Sequence, residues 1–279
     1  MAGWKKLGVI AGGGELPVRI AEHCAATGAP YYVARVLGVS DPLLSSHPGG
    51  DFGLGEMGAR FHALRDAGCD AVTFVGVVKR PDFKLLKLDA RAAMMMPRVL
   101  AAARNGDDAL LRVLGDEHER EGFRLVGADE VLATLLAPSG PMGAVAPTAE
   151  QMLDIQKAAD VAATLGSWDV GQGCVVCDGL VLALEAQEGT DAMLARVAEL
   201  PPEIRGVPGS PRGVLLKRPK PIQDRRIDLP TVGPQTLEGV RRAGLAGIAV
   251  EAGGALIMQR EALIARADAL GLFVIGFTP

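Results

Sequence analysis

The chain has 279 residues and a formal net charge of −4 at neutral pH, enough for two domains that fold without disulfides or a structural metal. Hydrophobic residues make up 49 % and aromatic residues 4 %, which excludes a disordered polar chain and leaves little for stacking on single-stranded bases. Glycine is the outlier at 36 residues, nearly twice the usual share, with no Gly-X-Y period, and the acidic balance argues against nucleic acid as a partner.

The amino terminus, Met1 to Lys6, lacks the apolar core and cleavage site of a secretory signal. Four cysteines suit a reducing compartment, so the expected location is the cytoplasm. Residues 6–11 read as a short apolar strand, Gly12-Gly13-Gly14 as a turn, and 16–27 as a helix with Pro17 in its first turn. Gly28 ends that helix and 31–36 is β-rich. Helices are expected at 60–67 and 90–105, with a buried strand at 71–76 between them; Gly106-Asp107-Asp108 reads as a cap and turn, and 125–136 closes the half. The uncharged run 131–149 contains Pro138, Pro141 and Pro147, which a spanning helix tolerates poorly, and reads as a linker.

In the second half Thr148 and Gln151 form a capping box that opens a helix to about residue 165. Asp178-Gly179 between strands 172–177 and 180–185 signals a type I′ hairpin. Thr190 is placed to cap a helix over 191–200, and 213–217 is a short strand. Pro234 opens a helix over 235–243, followed by strand 247–251, helix 259–269 and strand 272–275. The expected fold class is α/β: a Rossmann-like parallel-sheet domain over 1–136, a Pro/Gly-containing linker over 137–148, and a mixed-sheet domain with helices over 149–279.

Several segments carry chemistry. The turn Gly12-Gly13-Gly14 with Glu15 offers backbone N–H groups and a helix N-terminus to a phosphate, or serves only as a tight turn for packing. As a dinucleotide fingerprint it fails, because Pro17 holds the third glycine position and Arg35 stands near the end of the second strand where an acid belongs. Cys174 and Cys177 have zinc-site spacing but lie in one strand with no second pair, and read as core. Glu185, Glu188, Thr190 and Asp191 crowd one turn, leaving Glu185 and Glu188 for a ligand or metal once Thr190 and Asp191 serve the helix. Residues 217–233 form a proline-rich loop carrying Lys217, Lys220, Asp224, Arg225 and Asp228, either functional or simply a solvated or disordered charged loop. Its cations can neutralise a diphosphate, and Asp224 or Asp228 can bind Mg²⁺ or orient water. Lys79-Arg80 follows a strand's carboxyl end, where open α/β sheets bind ligands. The Met94-Met95-Met96 run reads as core or as an adaptable apolar surface.

Six segments resemble the LpxI family of UDP-2,3-diacylglucosamine pyrophosphatases: AGGGELP (11–17), VVKRPDF (77–83), GDDALL (106–111), WDVGQGCVV (168–176), ALEAQEGTDAML (183–194) and KRPKPIQDRRIDLPTVGPQT (217–236). The resemblance implies two α/β domains holding substrate between them, and hydrolysis of UDP-2,3-diacylglucosamine to UMP and 2,3-diacylglucosamine 1-phosphate (lipid X) in lipid A synthesis. It implies a divalent metal, usually Mg²⁺, and an essential aspartate in the PxQDxRxDxP motif, placed at Asp224 with Asp228 as second choice. On this reading Asp224, Asp228, Lys217, Lys220 and Arg225 are catalytic. Gly12, Gly13, Gly14, Glu15, Lys79, Arg80, Gln172, Thr190 and Gln223 bind substrate, and Asp224, Glu188 and Asp191 hold the metal. A lipid substrate further implies weak peripheral contact with the inner membrane, and a homodimer is left open. The rival readings are a non-catalytic nucleotide-sugar sensor and a UDP-sugar-dependent transferase.

Overall fold

The computed structural model describes residues 3–279; Met1 and Ala2, part of the terminus read above for a secretory signal, lie outside them. The chain divides into two compact units. The first runs to Ala133 and also takes Asp224–Asp228; the second holds Thr134–Gln223 and Leu229–Pro279.

Unit 1 begins with strand β1 (Leu7–Ala11), helix α1 (Glu15–Thr27) and strand β2 (Tyr31–Val36). Then come β3 (Gly49–Phe52), α2 (Met57–Asp66), β4 (Ala71–Val75), α3 (Ala90–Ala103), α4 (Asp107–Arg120), β5 (Arg124–Leu125) and the short α5 (Ala128–Val131). Its sheet has the order β3-β2-β1-β4-β5 with every pair parallel, the Rossmann-like arrangement. Alternation along the strands divides the core. Ile10, Ala34 and Val72 face α2 and α3 through Phe61, Leu64, Met95 and Val99. On α1, Val18, Ile20, Ala21 and Cys24 are buried, and the helix packs on β1 and β2. Gly106-Asp107-Asp108 is not merely a cap and turn. Gly106, at φ 121°, starts α4, and the two aspartates sit in its first turn, where the helix dipole favours negative charge.

Unit 2 contains β6 (Gly140–Pro141), α6 (Ala149–Ser167), β7 (Gly173–Cys177), β8 (Leu180–Leu184), α7 (Gly189–Glu199) and β9 (Val214–Lys217). It continues with β10 (Thr231–Val232), α8 (Pro234–Arg242), β11 (Gly247–Glu251), β12 (Leu256–Ile257), α9 (Arg260–Leu270) and β13 (Phe273–Phe277). The main sheet, ordered β6-β13-β11-β9-β7-β8, is mixed: β13, β11 and β9 are parallel, while β6, β7 and β8 pair antiparallel. Leu215, Ile248 and Val250 face α7, α8 and α9, and Leu216, Ala249 and Ile275 face α6. The Thr148–Gln151 capping box forms on α6. Asp178 and Gly179 both take positive φ, as a type I′ turn requires. Their amides are held by the buried Asp154 carboxylate at 2.9 and 2.7 Å.

The expected linker over 137–148 is corrected here. Gly140 and Pro141 pair with Gly276 and Ile275, and the Ala137 and Met142 amides donate to Ala255 and Val274 carbonyls at 2.9 Å. This segment is the edge of the unit 2 sheet, a position that accommodates proline. Among the described residues no helix is long and apolar enough to cross a membrane. The cysteines Cys174 and Cys177 are buried in β7, and burial pushes their thiols up to about 12 and about 11, as unreactive core residues.

The sparse aromatics concentrate in unit 1. His118 is fully buried, edge-on to Phe61 and Phe74, with Nδ1 bonded to the Leu114 carbonyl at 2.7 Å. Burial first, and then the nearby Arg60 guanidinium, press its pKa from 6.5 down to about 3. The unfolded chain therefore takes up a proton below pH 6.5 that the native state refuses, so stability falls as pH drops through that window. Between pH 6.5 and 5 the wild type should lose about 2 kcal/mol that a His118→Phe variant does not lose. Guanidinium unfolding at the two pH values measures this; equal losses in both proteins would refute it.

Candidate active site

Each strand of the parallel trio β9-β11-β13 ends at the same edge, the edge at which open α/β sheets present ligand-binding groups. Lys217 is the last residue of β9 and alternates with Leu216, so its side chain turns toward α7. There Lys217 Nζ donates to Thr190 Oγ1 at 2.7 Å, and Thr190 in turn donates to Glu185 Oε1 at 2.6 Å. Lys217 and Glu185 are 5 % and 6 % exposed, and their charges stand 3.7 Å apart. Thr190 is therefore not the N-cap expected from sequence. The helix α7 begins at Gly189, and the hydroxyl lies inside its first turn as a bridge between two buried charges. Glu185 and Glu188 are not left over either, since Glu188 pairs with Arg196 and accepts from the Ala186 amide at 3.2 Å.

Arg218 turns to the opposite face, 3.0 Å from Glu251 at the end of β11 and 3.3 Å from the Ala159 carbonyl of α6. Lys220 pairs with Asp169, a half-buried non-glycine residue held at φ 57° just past α6. The Lys220 amide donates to Gln223 Oε1 at 3.0 Å, and the Gln223 amide returns a bond to the Lys220 carbonyl. The start of the loop is thus ordered by one acid per cation. Asp191 accepts from Gln235 at 2.8 Å. Among the described residues, the buried acceptors Gln172 Oε1 and Glu185 Oε2 of this unit have no hydrogen-bond donor against them.

The middle of the loop belongs to unit 1. Ile227 packs in its core, against Gly115 of α4. Asp224 Oδ1 accepts from the Arg226 amide and Nε at 3.0 Å, Oδ2 accepts from Arg226 Nη2 at 2.7 Å, and Arg226 also reaches Glu119 at 2.8 Å. The Arg226 guanidinium holds the Asp224 carboxyl below the usual carboxylate range, so Asp224 is an anion throughout the neutral range. The Asp228 amide donates to the Asp224 carbonyl at 3.2 Å, and Arg225 lies in the same strip.

The glycine turn is resolved partly toward packing. The Gly12 and Gly13 amides donate to the Val75 and Val77 carbonyls at 2.8 and 2.9 Å, and a Cβ on Gly12 would lie 2.9 Å from backbone atoms of Gly76 and Val77. Gly14, at φ 92°, and Glu15 stand at the α1 terminus, whose first amides have no intrahelical acceptor. Arg80 binds the Ala103 carbonyl and stands 3.4 Å from Asp107, which joins two of the motif segments; Lys79 is exposed.

Unit 1 therefore carries Gly12, Gly13, Gly14, Glu15, Lys79, Arg80, Asp224, Arg225 and Asp228, and unit 2 carries Gln172, Glu188, Thr190, Asp191, Lys217, Lys220 and Gln223. Sequence reasoning missed Asp169 and Glu119 as partners, and only the WDVGQG segment hinted at the first. Among the described residues no three His, Cys, Asp or Glu side chains are grouped to hold a metal ion, so a closed protein cage does not fit. A Mg²⁺ carried largely by phosphate oxygens needs only one or two carboxylates, and Asp224 fits that lesser requirement.

Family models for the LpxI N-terminal domain and the LpxI C-terminal domain match residues 6–135 and 138–275. The chain belongs to the LpxI family. Over 275 residues it is 56 % identical to the UDP-2,3-diacylglucosamine pyrophosphatase LpxI of Caulobacter vibrioides, covering 99 % of this chain and 98 % of that protein.

The buried Lys217–Thr190–Glu185 group gives a stability test. Lys217→Met strands Glu185 and Glu185→Gln strands Lys217, each expected to cost about 3 kcal/mol or more. The double variant should cost at least about 1 kcal/mol less than the two single costs added together. Urea unfolding of the four proteins measures the coupling, and strictly additive losses would rule it out.

Proposed function

We propose that this chain hydrolyses the diphosphate of UDP-2,3-diacylglucosamine, giving UMP and 2,3-diacylglucosamine 1-phosphate in lipid A precursor synthesis. The observation that carries the reading is the 56 % identity, over 99 % of the chain, to a relative that bears the name of this activity. The motif segments quoted above for the resemblance lie within that matched length.

The chemistry asks for three things. A diphosphate anion repels an incoming nucleophile, so its charge must be neutralised, a water oriented, and the leaving phosphate stabilised. In this reading Lys217, Lys220 and Arg225 neutralise charge, with Lys217 held rigid by Thr190 and Glu185. Asp224 orients the water that attacks the glucosamine-side phosphorus, with UMP as the leaving group. As a carboxylate held below its ordinary range it is a weak base, suited to orienting a water or holding a cation rather than to removing a proton early. Gln172 Oε1 and Glu185 Oε2, buried acceptors lacking donors, suit the hydroxyl and N–H groups of a nucleotide sugar.

A divalent cation, most simply Mg²⁺, belongs to the proposal. Asp224 would supply its carboxylate and the diphosphate the remaining anionic oxygens, and the bound ion would neutralise charge on the phosphates. Such a cation competes with Arg226, whose guanidinium already spans Asp224 and Glu119.

Asp224→Ala should lower UMP release by at least about 10³-fold, the scale of one lost group acting on the transition state, with the unfolding midpoint little changed. Near wild-type turnover by this variant removes Asp224 from the mechanism. In ¹⁸O-labelled water the label should enter the 1-phosphate of the lipid product; label in UMP would place the attack on the uridine-side phosphorus, label in neither product would point to a transferase, and tight UDP binding without turnover to a sensor. Excess EDTA should stop turnover and added Mg²⁺ restore it, whereas full activity in EDTA would eliminate the metal.

A further inference from the structure

Trp168 is one of two tryptophans in a chain with 4 % aromatic residues, and it is 79 % exposed. Tryptophan is ordinarily well buried, and among the described residues no other ring packs on this one. Its backbone, by contrast, is fixed. Trp168 ends α6, its amide donating to the Leu165 carbonyl at 3.1 Å, and the Val170 amide donates to the same carbonyl at 3.2 Å. Between them Asp169 takes φ 57°, the left-handed position that glycine commonly fills past a helix. An aspartate there has a second role, because its carboxylate grips Lys220. An indole held at its root by a tight turn needs little further ordering to receive a ligand.

The connection from Trp168 to Gln172 lies alongside the start of the charged loop, and both belong to unit 2. A Cβ on Gly166 would lie 3.1 Å from Lys220 Cα and 3.0 Å from Pro221 Cδ. The Gln172 carbonyl accepts from the Arg218 amide at 3.0 Å. The ring is therefore carried one residue from the carboxylate that orients Lys220, a cation assigned to the diphosphate. At the far end of the connection stands Gln172 Oε1, buried and without a donor among the described residues. A flat apolar face, an oriented cation and an unsatisfied acceptor on one short strip suit a nucleobase joined to phosphates. Bases stack on aromatic faces, and uracil carries an N–H at its edge. An acyl chain has neither a flat face nor an N–H, and would use neither the plane of the indole nor Gln172.

We propose that the indole face of Trp168 is the platform on which the uracil of the substrate stacks, so that the base as well as the phosphates anchors the nucleotide to unit 2. The uridine ligand is taken from the hydrolase reading, and the two can fail separately.

In a Trp4→Phe background Trp168 is the remaining tryptophan. Its fluorescence is titrated with UMP, with ribose 5-phosphate, which has no base, and with 2,3-diacylglucosamine 1-phosphate. UMP should quench it saturably and ribose 5-phosphate should not. In steady-state turnover of UDP-2,3-diacylglucosamine, Trp168→Ala should raise KM about tenfold, the scale of one stacked base, with kcat within about twofold. Trp168→Phe, which keeps a stacking face, should recover most of that loss. Absence of quenching by UMP, equal quenching by ribose 5-phosphate, quenching by the lipid product alone, or an unchanged KM in Trp168→Ala overturns the platform. Quenching of Trp168 by UMP in a protein that releases no UMP from the lipid substrate would remove the hydrolase reading and leave the nucleotide platform standing.

Discussion

Burying Ile227 fixes where Asp224 stands. Four prolines between Pro219 and Pro234 deny the loop a regular hydrogen-bond ladder, so backbone pairing alone cannot set its path. One apolar side chain among charged neighbours does so instead, by packing in the core of unit 1. With Ile227 in place, Asp224 lies three residues upstream, its carbonyl accepting the Ile227 amide at 2.9 Å and its carboxylate closed on Arg226. The strip on either side, Lys220 to Gln223 and Leu229 onward, belongs to unit 2. A five-residue piece of the second half of the sequence is thus a part of the first unit, with Ile227 in its core, and the aspartate of the motif travels with it.

The charges of the loop follow a second rule. Each cation before Asp224 that the structure pairs has its own acid: Lys217 with Glu185, Arg218 with Glu251, Lys220 with Asp169. A stretch of lysine and arginine read along the chain suggests a bare positive cradle. Folding turns it into a set of oriented, largely compensated groups, because buried charge without a partner is costly. That compensation has a use in the proposed reaction. A lysine already desolvated and fixed by Thr190 needs little further ordering when phosphate arrives, and the ordering of flexible side chains is a main cost of binding.

Much of the fold was legible where local chemistry decides it. The capping box at Thr148 and Gln151, the Asp178-Gly179 hairpin, Pro234 at the start of α8 and the β1–α1–β2 unit each depend on residues within a few positions of one another. The elements missed are α4, whose Gly106-Asp107-Asp108 start reads as a cap and turn, and those that tertiary contacts create: β3, with two glycines, and the two-residue strands β6, β10 and β12. No periodic pattern can emerge from two residues. The same division holds for the site. The motif at 217–233 marked the loop as chemical, but which acid meets which cation depends on residues 32 to 51 positions away. Thr190 misled because a hydroxyl ahead of a helix is usually a cap, and nothing nearby in sequence announces that a buried lysine will claim it.

The glycine excess looks different once these contacts are counted. Glycine rich enough to stand out suggests backbone approaching a ligand, yet the closest approaches are to the protein itself. A Cβ on Gly173 would lie 2.4 Å from Glu185 Oε2, and one on Gly171 would lie 1.9 Å from the Glu185 carbonyl oxygen. These two glycines make the space in which a carboxylate is buried beside β7, and that carboxylate orients Thr190, which holds Lys217. The route from glycine to phosphate is therefore indirect. Missing side chains at 171 and 173 admit Glu185, Glu185 fixes a hydroxyl, and the hydroxyl fixes an ammonium at the end of a parallel strand. Gly14 is the opposite case, since nothing lies within 4 Å of where its Cβ would be and its φ of 92° alone demands glycine. The same residue type, two positions from Gly12, is there for conformation and not for room.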